Sequence, residues 1–164
     1  MSLFGAINIS ASGLTAQRLR MDLVANNIAN INTTRTGEQT PAGNPIPYSR
    51  QVATFVPRPP ETPFASVLGK TLEGQNVGNG VQVARIDQIS DAQDPFRLEY
   101  DPNSSDAVKV AEPGLPVGYV RQPNVNIVTE MVDMISASRA YEANVTALNA
   151  SKSMASKALE IGKG

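Results

Sequence analysis

Five carboxylates lie close together along the chain: Asp91, Asp94, Glu99, Asp101 and Asp106. Two of them facing each other across a glycosidic bond would supply the pair that a glycoside hydrolase needs. The pattern speaks for a plainer role, because Asp94 and Asp101 each precede a proline and Asp-Pro initiates turns. Nothing in the sequence marks a buried carboxylate with a raised pKa, as a general acid requires. Gly69-Lys70-Thr71 has the tail of a phosphate-binding loop, but that loop needs another glycine five positions before Gly69, where Phe64 stands. Gly74, Gly78 and Gly80 therefore read as turn residues. The chain has no Cys and no His. Ser-His-Asp and Cys-His catalysis are thereby excluded, and zinc loses its usual ligands. The carboxylates also lack the spacing of a calcium-binding EF-hand. The residues point to a protein that works without catalysis, cofactor or metal.

The composition suits a chain that acts by packing. Its 164 residues are enough for one ordinary domain. Hydrophobic residues make up 41% and aromatics 5%, with four Phe and no Trp, so burial must come mainly from aliphatic helix seams. Fourteen basic residues against fifteen acidic ones leave a net charge of −1. That balance provides no basic footprint for nucleic acid and no polybasic patch for a membrane. The most apolar run, Ile127 to Ile135, is interrupted by Glu130 and Asp133, so no membrane insertion is expected. The first 17 residues hold no basic side chain, and polar residues break up their apolar ones. A cleaved secretory signal is therefore not expected, and any export must use a route that does not read one.

Proline divides the chain into three. All twelve Pro lie between Pro41 and Pro123. Both ends are thus free to form long helices, and the middle is left irregular or β-rich. Ile7, Ala11, Leu14, Arg18, Met21, Ala25 and Ile28 follow alternating steps of four and three, the spacing of a coiled-coil seam. The Asn-rich run after Ala25, then Gly37 and Pro41, ends this helix. Ile127, Met131, Met134, Ser138, Tyr141, Val145, Leu148, Lys152, Ala155 and Leu159 repeat the spacing at the other end. Asn126 suits the N-cap there, Glu130 and Asp133 complement the positive end of the helix dipole, and Gly162 is a stop. Such helices would be about 43 and 50 Å long. Arg18 and Lys152 interrupt the seams, either to set register or simply by snorkelling from their edges. Two matching seams suggest antiparallel or bundle-like pairing, against the plainer alternative of a two-helix core resting on the middle segment. Flanking faces rich in Ser, Thr, Asn and Ala favour close contact with further helices.

Short strands are expected in the middle. Tyr48 to Val56 alternates and is ended by prolines. Asn79-Gly80 is a dipeptide favoured in tight hairpin turns, and Val81 to Ile89 continues as a strand. Arg97 to Tyr100 is a further extended piece, and Val117 to Val120 a possible last one. Residues 33–47 read as a flexible loop. The expected fold is α+β, with long N- and C-terminal helices forming a coiled coil and a small irregular β-rich middle segment. The expected divisions are 1–36, 37–121 and 122–164.

Ser12-Gly13-Leu14-Thr15-Ala16-Gln17, followed by Ala25-Asn26-Asn27-Ile28-Ala29-Asn30-Ile31-Asn32-Thr33, closely resembles the N-terminal signature of bacterial flagellar rod and hook proteins. Gly118 to Asn126, with Pro123, Asn124 and Asn126, and then Glu130 to Ala137, Arg139 and Tyr141-Glu142-Ala143-Asn144, resembles the C-type proximal rod proteins within that family. Pro47-Tyr48, Phe96-Arg97 and Tyr100-Asp101-Pro102 agree. Asn103-Ser104-Ser105 departs from it, standing where the family usually has a Gly-His-Pro-like turn.

The resemblance implies a structural subunit of the proximal rod of the flagellar basal body, a hollow torque-transmitting shaft in the periplasmic space. The terminal helices would form its inner coiled coil and the middle segment an outer portion. The implied partners are other rod proteins, copies of this chain, and the flagellar type III export apparatus. Two competing readings are another axial subunit, such as distal rod or hook, and a wall-cleaving hydrolase.

Overall fold

A computed structural model describes residues 3–59, 78–89 and 91–162. Helix α1 spans Leu3–Ala29 and helix α2 spans Ile127–Ile161. Their 27 and 35 residues correspond to about 40 and 52 Å of helix. Among the described residues, four strands lie between them: β1 (Gln51–Pro57), β2 (Val81–Gln88), β3 (Arg97–Tyr100) and β4 (Tyr119–Gln122). They form two separate two-stranded sheets, β1 with β2 and β3 with β4. The fold is α+β, with long helices at both ends and a small β-containing middle.

The local chemistry explains the boundaries. Asn126 caps α2 as expected: its Oδ1 accepts from the amides of Val128 and Thr129 at 3.0 and 3.4 Å. At the other end, the Gly162 amide donates to the Ala158 carbonyl. Helix α1 stops three residues short of Asn32, within the Asn run that weakens it.

The last strand begins two residues later than the sequence suggested. Gly118 takes φ +86° and turns the chain into β4, which pairs antiparallel with β3 from Arg97↔Gln122 to Tyr100↔Tyr119. Asn79-Gly80 does not close a two-residue hairpin. Strand β1 ends at Pro57 and β2 starts at Val81, so the connection is 23 residues, 58 to 80. Gly80 instead enters β2 at φ +85°, with its carbonyl accepting from the Arg58 amide. The Phe64 and Gly69 to Thr71 region lies outside the described residues.

The chain divides into two units. One comprises residues 1–21, 53–86 and 135–164, and the other 22–52 and 87–134. In the first, α1 lies against both β2 and α2. The Val81 amide donates to Ser12 Oγ at 3.0 Å, and a Cβ on Gly80 would collide with that same oxygen. The Arg20 guanidinium lies 4.8 Å from the centre of the Phe55 ring. On the other face, a Cβ on Gly13 would come within 2.9 Å of the Asn144 side chain. The buried residues here are small: Ser10, Ser12, Ala16, Ala137 and Ser151.

The second unit buries larger aliphatics, namely Leu23, Val24, Val108, Leu115, Val120 and Val125. Residues 33–47, expected to be a loop, are one, with cross-links at several points. Thr36 and Ile46 are joined through backbone, and Gln39 bridges Pro45. Fully buried Asn44 donates to the Val110 carbonyl and to Glu112, while accepting from the Lys109 amide. Thr40 also donates to Glu112. Together these contacts hold the Glu112 carboxyl below its usual pKa range, with the Thr40 bond the larger cause and the Asn44 bond next.

Candidate assembly junction

Asn27 sits near the end of α1, two residues before its last residue Ala29, and its side chain is fully buried. All four of its hydrogen-bonding positions are filled. Its Nδ2 donates to the Gln51 carbonyl and to Glu130 Oε2, each at 2.9 Å. Its Oδ1 accepts from the Gln51 amide and from the Tyr48 hydroxyl, again each at 2.9 Å. A buried amide with every valence met is held in one orientation, because any rotation would orphan several polar atoms.

Glu130 lies in the first turn of α2 and is also fully buried. Its Oε1 is 2.5 Å from Arg50 Nε, and Arg50 Nη2 reaches Asp133 at 3.2 Å. The expectation that Glu130 merely serves the helix dipole therefore understates it: the carboxylate is the centre of an ion-pair and hydrogen-bond cluster. Tyr48 completes the cluster, accepting from Asn26 Nδ2 at 3.1 Å. Burial pushes the Tyr48 phenol above its ordinary pKa and the Glu130 charge pushes it further, while the Asn26 bond pulls it back.

Asn124 ties the same cluster to the chain ahead of α2. Its Oδ1 accepts from the Arg50 amide at 2.9 Å, and its Nδ2 donates to the carbonyls of Ile89 and Asp94. Pro123 is buried beside it. Side chains from α1, from the segment leading into β1, from the approach to α2 and from its first turn thus converge on one polar junction. A groove runs beside it, lined by Ile31, Arg97, Pro123, Val125 and Ile127.

The other sequence-selected residues have varied settings. Asn30 bonds back to Asn26, Asn32 is exposed, Asn126 is the cap and Asn144 packs on Gly13. The Glu142 side chain is exposed. Along the N-terminal seam, Ile7, Leu14, Met21 and Ile28 are half-buried, and Ala11 and Ala25 exposed. Along the C-terminal seam, Met134, Tyr141, Val145, Leu148 and Ala155 are half-buried. Ile127, Met131 and Leu159 are exposed, at 46%, 54% and 73%.

Two of the carboxylates, Asp91 and Asp101, bond within local turns, and Glu99 and Asp106 bond side chains distant in sequence. Asp91 accepts from the Phe96 amide, Asp101 from the Asn103 amide, and Glu99 from Gln122. Asp106 bonds Thr34 and pairs with Arg35 at 2.5 Å. The Thr34 bond first, and the Arg35 charge after it, hold the Asp106 carboxyl below its usual range, although burial opposes them. A catalytic acid needs the opposite shift.

Comparison with known proteins accounts for such an arrangement. Residues 7–35 match the family described as flagella basal body rod protein. Residues 117–161 match the C-terminal family of the flagellar basal body rod FlgEFG proteins. The flagellar basal-body rod protein FlgC of Bacillus subtilis is 47% identical over 99% of this chain and 100% of its own length. The FlgC protein of Borreliella burgdorferi is 47% identical over the whole of both chains, and that of Salmonella typhimurium 36% identical over 99% and 100%. The chain belongs to the flagellar basal-body rod protein family. It is a structural protein and not an enzyme.

Membership explains which residues the two family matches cover. They enclose Asn26, Asn27 and Asn30 at one end and Asn124, Asn126 and Glu130 at the other. Tyr48, Arg50 and Gln51 fall between the matches, and sequence reasoning assigned them to a strand, with Tyr48 noted besides only in the family resemblance. Their one outward signal was the pair of acids in the apolar start of α2, which demanded a cation that the local sequence lacks.

Proposed function

We propose that this chain is a structural subunit of the proximal rod of the bacterial flagellar basal body. The observation that carries the reading is identity with rod proteins along the full length of both chains. In this reading, segments 1–36 and 122–164 form the inner part of the rod wall and 37–121 the outer part. The terminal helices extend into a coiled coil with those of neighbouring rod proteins and of further copies of this chain. The uncovered apolar residues Ile127, Met131 and Leu159, together with Val128, Val132 and Ile135, support that reading. Such residues gain cover only from another molecule. A tube requires heterologous contacts that do not close on themselves, and long helices presenting apolar stripes supply them.

The rod lies in the periplasmic space, and the subunit reaches it through the flagellar type III export apparatus without a cleaved signal. No described helix is long and apolar enough to cross a membrane. The test is mass spectrometry of basal bodies purified from motile cells, paired with deletion of the chain. The expected result is the intact chain, with its initial residues retained, in the rod fraction, and non-motile cells without it. Complete rods in the deletion strain would overturn the proposal.

A further inference from the structure

The helix pair has a single observed register. Asn27 meets Glu130 in one unit and Gly13 lies against Asn144 in the other. Fourteen residues back along α1 correspond to fourteen forward along α2, which is two heptads of an antiparallel pair. The contacts at the Gly13 end select this register weakly. A slip of one heptad would put Ser151 opposite Gly13, and Ser is smaller than Asn, so the glycine accepts it without a clash. The buried residues nearby, Ser10, Ala16, Ala137 and Ser151, are close in size and would interchange at little cost.

We infer that the junction of Asn27, Tyr48, Arg50 and Glu130 is a register lock, which permits α1 and α2 to pair in one alignment only. In a heptad slip, Ala137 would replace Glu130 beside Asn27. Arg50 and Asn27 would then lose their carboxylate partner within a buried site, a loss that single hydrophobic contacts do not offset. Such a slip would release residues 127–133 from the first two turns of α2, while Asn124 could keep its bond to the Arg50 amide. A buried polar residue that specifies alignment is the best-attested use of such groups in helix pairs. This inference concerns the folded chain itself and stands whether or not the chain enters a rod.

The absence of cysteine makes the register readable by cross-linking. Ala6→Cys with Ser151→Cys continues the observed pairing by one further heptad, and Ala6→Cys with Ala158→Cys reports the slipped one. Each pair is placed in the full-length wild-type background, in Arg50→Met/Glu130→Leu, and in Arg50→Gln/Glu130→Gln. Disulfide yield is measured under mild oxidation, with helicity followed by circular dichroism. In the wild-type background only the Ala6/Ser151 pair closes. In the apolar variant, helicity falls by no more than the two released turns and the slipped product rises to within about tenfold of the in-register one, because the two registers then bury similar residues. The amide variant retains part of the hydrogen bonding and falls between. Variants that stay helical and wholly in register would overturn the lock. If the apolar variant loses helicity, the amide variant decides by the same criterion. If both lose helicity, the junction is a stability element alone and the inference fails.

Discussion

The two units hold the same two helices by different means. Where Gly13 meets Asn144 and Ser12 meets Val81, the helix surfaces approach closely through small residues, and much of the polar bonding involves backbone. Where Asn27 meets Glu130, they are joined by a buried polar cluster drawn from α1, the segment leading into β1, and α2. Small-residue contact is tolerant: it fixes distance and leaves alignment loosely specified. The polar cluster is intolerant, since each member depends on partners that no other position supplies. A subunit that must meet neighbours along its helices benefits from having both, with one place that fixes its own geometry and another whose surfaces can adapt.

The contrast is tested most severely at Glu130. Glu130→Ala leaves Arg50 and Asn27 without their carboxylate in a buried setting, and a loss of about 3–5 kcal/mol is expected. Urea unfolding of the full chain measures it, and a loss below about 1 kcal/mol would mean the cluster is no more demanding than surface pairs. A smaller effect is expected in the other unit, at Gly80→Ala. The added Cβ must displace Ser12 Oγ, and the residue sits at φ +85°. A cost of about 1–3 kcal/mol follows from the strained backbone and the displaced contact. An unchanged midpoint would show that β2 does not press on α1 as described.

The smallest effect concerns Asp106, which shares a unit with Glu130 but pairs near the surface with Thr34 and Arg35. Its folded pKa is lowered, so its contribution is fully present above the unfolded value of about 3.9 and is lost as pH falls through the folded one. Acid unfolding of Asp106→Asn compared with the unsubstituted chain checks this. The difference between the two should be constant at neutral pH and shrink below about pH 4. A difference that grows as the pH falls would reverse the sign and refute the assignment.

How much of this was legible in the sequence varies with how local the cause is. The proline-free ends, the Asn126 cap and the extended run from Val81 to Ile89 act within a few residues, and each element formed. The apolar heptads were legible as stripes, yet close contacts between the helices also involve residues one position away from them. On α1, Gly13 and Asn27, each next to a stripe residue (Leu14 and Ile28), make contacts to α2. On α2, buried Glu130, Ala137 and Ser151 stand beside the stripe that includes Met131, Ser138 and Lys152. Hydrophobicity marks the residues that need cover, and in a subunit of an assembly part of that cover comes from other chains. The junction was beyond reach for another reason: Arg50 and Glu130 are separated by 80 residues, and only the folded chain brings them together.

The apolar residues that α2 leaves open carry the central claim, that this chain works by being packed against others. Met131→Asp with Leu159→Asp tests it directly, because both side chains are more than half exposed and their replacement leaves the interior of the subunit untouched. The measurement is the amount of this chain in purified basal bodies, alongside swimming, in cells that express the variant at the wild-type level. The account predicts a chain with unchanged circular dichroism and thermal midpoint that is missing from basal bodies, in cells that do not swim. Complete rods containing the doubly charged chain, in cells that swim normally, would contradict it.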